Sequence, residues 1–143
     1  MNTMQTILLV DDDPAVLMLY ELMLNDLGYD VIPKPDAGSA LELIRQGIPM
    51  DLVITDYQMP GMNGLEFIGV LRQILPSVPV LMLTGCCNAD IDPGLGISEL
   101  ISKPVSEKEL GRSVKSALEK RSADILIFRI DRGIDRRPSP GTL

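Results

Sequence analysis

The sequence predicts an α/β fold in which a parallel sheet is covered by helices on both faces. Short, continuous apolar runs recur along the chain, as strands buried on both faces require. Segments with apolar residues at helical spacing separate them, and the connections are short, with capping residues and helix breakers at the joints.

Thr6-Ile7-Leu8-Leu9-Val10 is the first such run. Asp13-Pro14 then reads as an N-cap followed by proline at the first helical position. Val16, Leu19, Tyr20, Met23 and Leu27 follow at helical spacing, and Gly28 closes the helix. Asp30 to Pro33 is a short second strand. Asp36 caps a helix carrying Ala40, Leu41 and Ile44, which ends at Gly47. Leu52-Val53-Ile54-Thr55 is the third strand, with Asp56 at its carboxyl end. A Pro-Gly-Met-Asn-Gly loop leads to a helix from about Gly64 to Leu75, stopped by Pro76. Val80 to Leu83 is the fourth strand, and Leu100-Ile101-Ser102 a short fifth. Ser106 and Glu109 have capping-box spacing and open a last helix to about Lys120. Connections this short require right-handed crossovers.

Two stretches break the rhythm. From Gly85 to Glu99 the chain carries Pro93, Gly94 and Gly96 and is a poor helix. Beyond Arg121, Ile125-Leu126-Ile127-Phe128 precedes a polar Arg/Asp/Pro/Gly end, so residues 5–121 read as the domain and 122–143 as a partly disordered tail.

A chain of 143 residues is expected to make one domain, with no room for a second catalytic module. Aromatics are 3% of it, so the core must be aliphatic. With 13 basic and 20 acidic residues the net charge is −7, which repels phosphate backbones and argues against nucleic-acid binding. No apolar run reaches membrane-spanning length, and TILLV is too short for a signal sequence. Cys86 and Cys87 are adjacent and do not make a disulfide framework. The expectation is a cytoplasmic protein. The absence of histidine excludes catalytic triads, imidazole bases and most zinc sites.

In a parallel α/β sheet, ligands bind beyond the carboxyl ends of the strands. At those ends stand Asp11, Asp12 and Asp13, then Asp56, Thr84 and Lys103. Singly, each has a plainer role: Asp13 a helix cap, Asp56 a turn residue, Thr84 a strand terminus, Lys103 a solvated charge. Together on one edge they are not independent accidents. Carboxylates converging on one crevice repel unless a cation holds them, and all-oxygen ligands favour a hard divalent ion such as Mg²⁺. A carboxylate beside a cation, a hydroxyl and a lysine is equipment for phosphoryl transfer.

The segments Ile7 to Asp13, Asp51 to Gly64, Leu83-Thr84-Gly85 and Ser102-Lys103-Pro104 resemble the receiver domains of bacterial two-component signalling. The resemblance covers roughly Thr6 to Lys120. It implies a flavodoxin-like, doubly wound sheet of five strands in the order 2-1-3-4-5, with a degraded fourth helix where the Gly85–Glu99 stretch falls. It implies that Asp56 accepts a phosphoryl group from a sensor histidine kinase or phosphotransfer protein, then switches a protein target that the sequence does not name. By the same resemblance Asp12 binds Mg²⁺ directly, Asp11 does so through water, and the backbone carbonyl of Gln58 adds a ligand beside Asp56. Thr84 hydrogen-bonds the phosphoryl group and Lys103 pairs with it. No enzymatic activity is implied beyond the domain's own phosphorylation and dephosphorylation, and a homodimer is compatible with the pattern.

The chain departs from the family at two places. Leu100 stands where members carry Tyr or Phe, and the link from Thr84 to Lys103 is shorter by roughly one helical turn. Both fall on the surface by which members engage targets. The nearest alternative within the family is a phosphate sink or relay without its own output. A Mg²⁺-dependent phosphatase of the haloacid dehalogenase type fits less well, because Asp11-Asp12-Asp13-Pro14-Ala15 fails its Asp-x-Asp-x-Thr/Val pattern. Neither of the glycine-rich nucleotide-binding motifs occurs, and 121–143 is too short for a helix-turn-helix domain.

Overall fold

The computed structural model describes residues 4–85 and 95–136, with side chains as far as Ser122. The elements are β1 (Thr6–Val10), α1 (Pro14–Asp26), β2 (Asp30–Lys34), α2 (Ala37–Arg45), β3 (Leu52–Asp56), α3 (Gly64–Ile74), β4 (Val80–Thr84), β5 (Ile97–Ser102) and α4 (Glu107–Arg136). The strands form one sheet in the order β2-β1-β3-β4-β5, every neighbouring pair parallel. This is the expected doubly wound order.

The continuous apolar runs are explained by the two cores. Successive side chains of a strand point to opposite faces. Leu8, Val10, Val53, Val80 and Met82 therefore pack on one side with Leu41 of α2 and Phe67 and Leu71 of α3. Ile7, Leu9, Leu52, Ile54, Leu81 and Leu83 pack on the other, against Tyr20 and Leu24 of α1 and Leu110, Val114 and Leu118 of α4. Each such burial contributes about 1.5–3 kcal/mol. The outer edge of the sheet at β2 carries Pro33, paired in register with Leu9, between Asp30 and Lys34 at the strand's ends.

The helix starts follow local chemistry. Asp13 Oδ1 accepts from Ala15 N at 2.9 Å with Pro14 beside it, and Asp36 Oδ1 accepts from Ser39 N at 2.7 Å. Asn63 and Glu66 close a reciprocal capping box at α3, each bond 2.9 Å long. Ser106 and Glu109 make the expected pair at α4, Glu109 N donating to Ser106 Oγ at 3.1 Å. Gly28 has φ +97°, a left-handed conformation that ends α1 without strain.

Two elements differ from expectation. β5 begins at Ile97, three residues before the expected Leu100. Ser98 and Glu99 in its first half are exposed, because an edge strand with little cover does not need apolar alternation. The last helix, expected to end near Lys120, continues to Arg136, since no glycine or proline interrupts it between Gly111 and Gly133. The helix is unbroken across position 122, where the tail was expected to begin. The expected degraded helix between Gly85 and Glu99, with Cys86 and Cys87, falls largely on residues 86–94, outside the described residues. Among the described residues, no helix is long and apolar enough to cross a membrane.

Candidate functional site

The strand order brings the candidate residues to one edge. β1 and β3 are neighbours with Val10 opposite Thr55, so Asp11 and Asp56 emerge side by side. β4 follows β3 with Leu83 opposite Asp56, and β5 follows β4 with Ser102 opposite Thr84. Lys103 is the next residue, and its backbone N donates to Thr84 O at 2.8 Å. The Lys103–Pro104 peptide bond is cis.

Lys103 Nζ lies 3.1 Å from Asp56 Oδ1 and 3.3 Å from Asp11 Oδ2. Carboxylate oxygens of Asp11, Asp12 and Asp56 lie within 4.8 Å of one another. Asp11 is 2% exposed and Asp56 6%, while Asp12 is open to solvent. Three carboxylates thus face one ammonium. Asp11 is further fixed by Asp13 N, which donates to its Oδ1 at 2.9 Å.

The electrostatics record the excess of negative charge. Burial raises the Asp56 pKa above its ordinary value, and Asp11 and Asp12 add to the rise; the Lys103 hydrogen bond opposes it without cancelling it. At Lys103 burial alone would lower the pKa, but its hydrogen bonds to, and the charges of, Asp56 and Asp11 outweigh burial and raise it. The ammonium is held charged, and the pocket is still short of positive charge.

Thr84 is buried at the end of β4, one residue past the partner of Asp56. Gln58 is exposed and lines an open recess together with Asp12 of the cluster, Tyr57, Met59, Pro60 and Asn63. Asp13 acts as the helix cap.

Gly64 is a residue whose importance the sequence reading missed. A Cβ there would collide with the Asp56 carbonyl oxygen, and Gly64 N donates to Tyr57 O at 2.7 Å. Only glycine lets the start of α3 sit this close to Asp56. The signal was present in the Asn63-Gly64 pair, with Glu66 placed to close the cap.

The three carboxylates fit a hard divalent cation: the oxygens converge, two of the groups are buried, and one lysine neutralises only part of their charge.

The family model for the response regulator receiver domain matches residues 7–115. The DNA-binding response regulator MtrA of Mycolicibacterium smegmatis is 38% identical over 124 residues, which cover 84% of this chain and 54% of MtrA. The transcriptional regulatory protein GlrR of Escherichia coli is 32% identical over 116 residues, covering 79% of this chain and 26% of GlrR. The chain thus spans about half or less of the length of these curated relatives. Among solved structures, a CheY-like response regulator receiver domain protein from Methanospirillum hungatei matches with a TM-score of 0.79 and 27% identity, over 85% of this chain and 99% of that one. A receiver domain protein from Clostridium thermocellum matches with a TM-score of 0.77 and 25% identity, over 84% and 98%.

Proposed function

Because this chain belongs to the response regulator receiver domain family, we propose that Asp56 is its phosphoacceptor and that phosphorylation there controls a protein partner. The observation that carries this reading is the 3.1 Å pairing of Asp56 with Lys103 inside a cluster of three carboxylates. Receiver domains interact with sensor kinases or phosphotransfer proteins, and the donor is a phosphohistidine of such a partner.

A carboxylate oxygen of Asp56 attacks phosphorus and the P–N bond of the donor breaks. The bonding pair returns to the imidazole, which takes up a proton from solvent, and an acyl phosphate remains on Asp56. Lys103 shifts from bridging two carboxylates to pairing with the new phosphoryl oxygens. The Thr84 hydroxyl donates to the same group. Asp11, Asp12, Asp56 and the Gln58 backbone carbonyl would hold Mg²⁺, which supplies the positive charge that screens these carboxylates from an incoming phosphoryl group.

The face that meets the donor starts at the pocket. Asp13 caps α1 beside Asp11, and the outer side of that helix carries Met18, 62% exposed, and Leu22, 60% exposed, with Leu19 between them. Such an apolar stripe next to the acceptor suits a helical donor protein. The charge of −7 disfavours direct contact between this chain and nucleic acid.

The test is intact-mass measurement after incubation with a small acyl phosphate and Mg²⁺. One phosphoryl adduct is expected, absent from Asp56→Asn and suppressed by chelator. An adduct that persists in Asp56→Asn would overturn the assignment. Affinity capture of partners with and without a phosphoryl analogue separates a switch from a phosphate sink: a switch gains or loses a partner on phosphorylation.

A further inference from the structure

β5 leads directly into Lys103, on which the pocket depends, yet the core holds the strand at few points. It is an edge strand bonded only to β4; Ile101 is its one buried residue, and Ile97 packs half-buried against the core. Its pairing is irregular: Val80 faces Ile97 but Leu81 faces Glu99, so Ser98 is an extra residue. Register is strongly specified where a slip would carry a buried face into solvent. With one buried side chain, β5 has weak protection of that kind. The consequence of a slip is large, because moving one residue along β4 displaces the strand by about 3.3 Å and turns each side chain to the opposite face. Lys103 would then leave Asp56 and Asp11.

One side chain compensates. Arg72, in the last turn of α3, donates from Nε to Leu95 O at 2.8 Å and from Nη2 to Gly96 O at 3.0 Å. Its Nη1 donates to Val78 O at 2.6 Å and to Leu75 O at 3.2 Å. Leu75 and Val78 belong to the turn between α3 and β4; Leu95 and Gly96 immediately precede β5. A single planar group therefore ties the entrance of β4 to the entrance of β5, just upstream of the irregularity. Gly96 has φ +68°, a conformation that glycine adopts freely, with the place of its absent Cβ 3.5 Å from Arg72 Nη2. Burial lowers the Arg72 pKa from its ordinary value, as expected for a cation that has given up water for these carbonyls. A lysine could not replace it, since its donors radiate from one point rather than from a rigid fork.

We propose that Arg72 is a positioning residue that pins the register of β5 and thereby sets where Lys103 meets the phosphoacceptor pocket. The proposal rests on the reading of Asp56 as phosphoacceptor, but its structural half can be measured without phosphorylation. Hydrogen exchange on the unphosphorylated full chain compares Arg72→Gln with the parent. Protection of the β5 amides and of Lys103 N should fall by about tenfold or more, the scale expected when charge-assisted hydrogen bonds are lost, while β1 and β3 keep theirs. Arg72→Lys should behave like Arg72→Gln despite its charge. In parallel, Arg72→Gln should slow phosphorylation by a small acyl phosphate in the parent, yet change little in a Lys103→Ala background, because the group it positions is gone.

Unchanged β5 protection in Arg72→Gln overturns the proposal. So does an equal fold-loss of phosphorylation in both backgrounds, which marks a general loss of stability. If Arg72→Gln does not fold, Gly96→Ala makes the same comparison by straining one of the carbonyls Arg72 holds. A parent protein that takes no phosphate on Asp56 would refute the functional reading and leave the exchange result to judge the register.

Discussion

Lys103 and Asp56 form an ion pair at 3.1 Å although β4 lies between β3, which ends at Asp56, and β5, which ends just before Lys103. The lysine reaches across the end of one strand to neutralise a carboxylate on the next. It also touches Asp11, one strand further on. Its removal would leave two buried acids unscreened. We expect Lys103→Ala to cost about 2 kcal/mol at neutral pH, less than a fully buried pair would lose because Lys103 is partly exposed. Urea unfolding should show the loss shrinking as pH falls and Asp56 takes up a proton. A pH-independent loss would mean that Lys103 acts through packing.

Asp56 itself opposes folding at neutral pH. Its pKa is raised above the ordinary value of 3.8. Between 3.8 and that raised value the native state holds more protons at this group than the unfolded chain does. Stability contributed by Asp56 therefore falls as pH rises through this window and stays low above it. Lys103, also raised, contributes stability in full below its ordinary 10.5 and loses it as pH climbs through the higher native value. In metal-free buffer at pH 7, Asp56→Asn should stabilise the protein by on the order of 1 kcal/mol, or about 4 °C in Tm. Calorimetry showing a lower Tm would contradict this account of the pocket.

Mg²⁺ should relieve the same repulsion. A ligand that binds only the native state at a hundred times its Kd stabilises by about 2.7 kcal/mol. A melting curve that rises with Mg²⁺ is the expected result. Asp12→Ala should abolish that rise at little structural cost, since Asp12 is exposed. A parent curve indifferent to Mg²⁺ would show that the carboxylates do not form a cation site.

The two glycines of α3 should respond in opposite directions. Gly64→Ala drives a methyl into the Asp56 carbonyl and should cost about 2–3 kcal/mol while displacing the loop after Asp56 and slowing phosphorylation. Gly69 has no atom within 4 Å of its missing Cβ. Gly69→Ala should stabilise by up to about 1 kcal/mol and leave phosphorylation unchanged. Chemical denaturation of both variants, with adduct mass for each, decides it.

Most of the fold was legible because β1, β3 and β4 are buried on both faces, so composition alone marks them. The pocket was legible for a related reason: in a parallel sheet the strand ends are the site, and Asp11, Asp56 and Lys103 sit at three of them. β5 was read too short because Ser98 and Glu99 are exposed and supply no apolar signal. The end of α4 was missed because Ile125 to Phe128 read as an isolated apolar patch before a polar end, although no glycine or proline between Gly111 and Gly133 stops the helix. Arg72 could not have been found from the sequence. Two of its partners are backbone carbonyls 23 and 24 residues away, and a carbonyl leaves no mark on side-chain chemistry.

Both margins of the sheet are poor templates for adding a strand. At β2, Pro33 removes a backbone donor, with Asp30 and Lys34 at the two ends. At β5, the extra residue Ser98 disrupts the ladder and Glu99 places a charge in the strand. Intermolecular β-pairing, the usual route from an exposed strand to aggregates, is blunted on each side. Association between copies, or with another protein, is left to the helix faces, where side chains rather than backbone choose the partner.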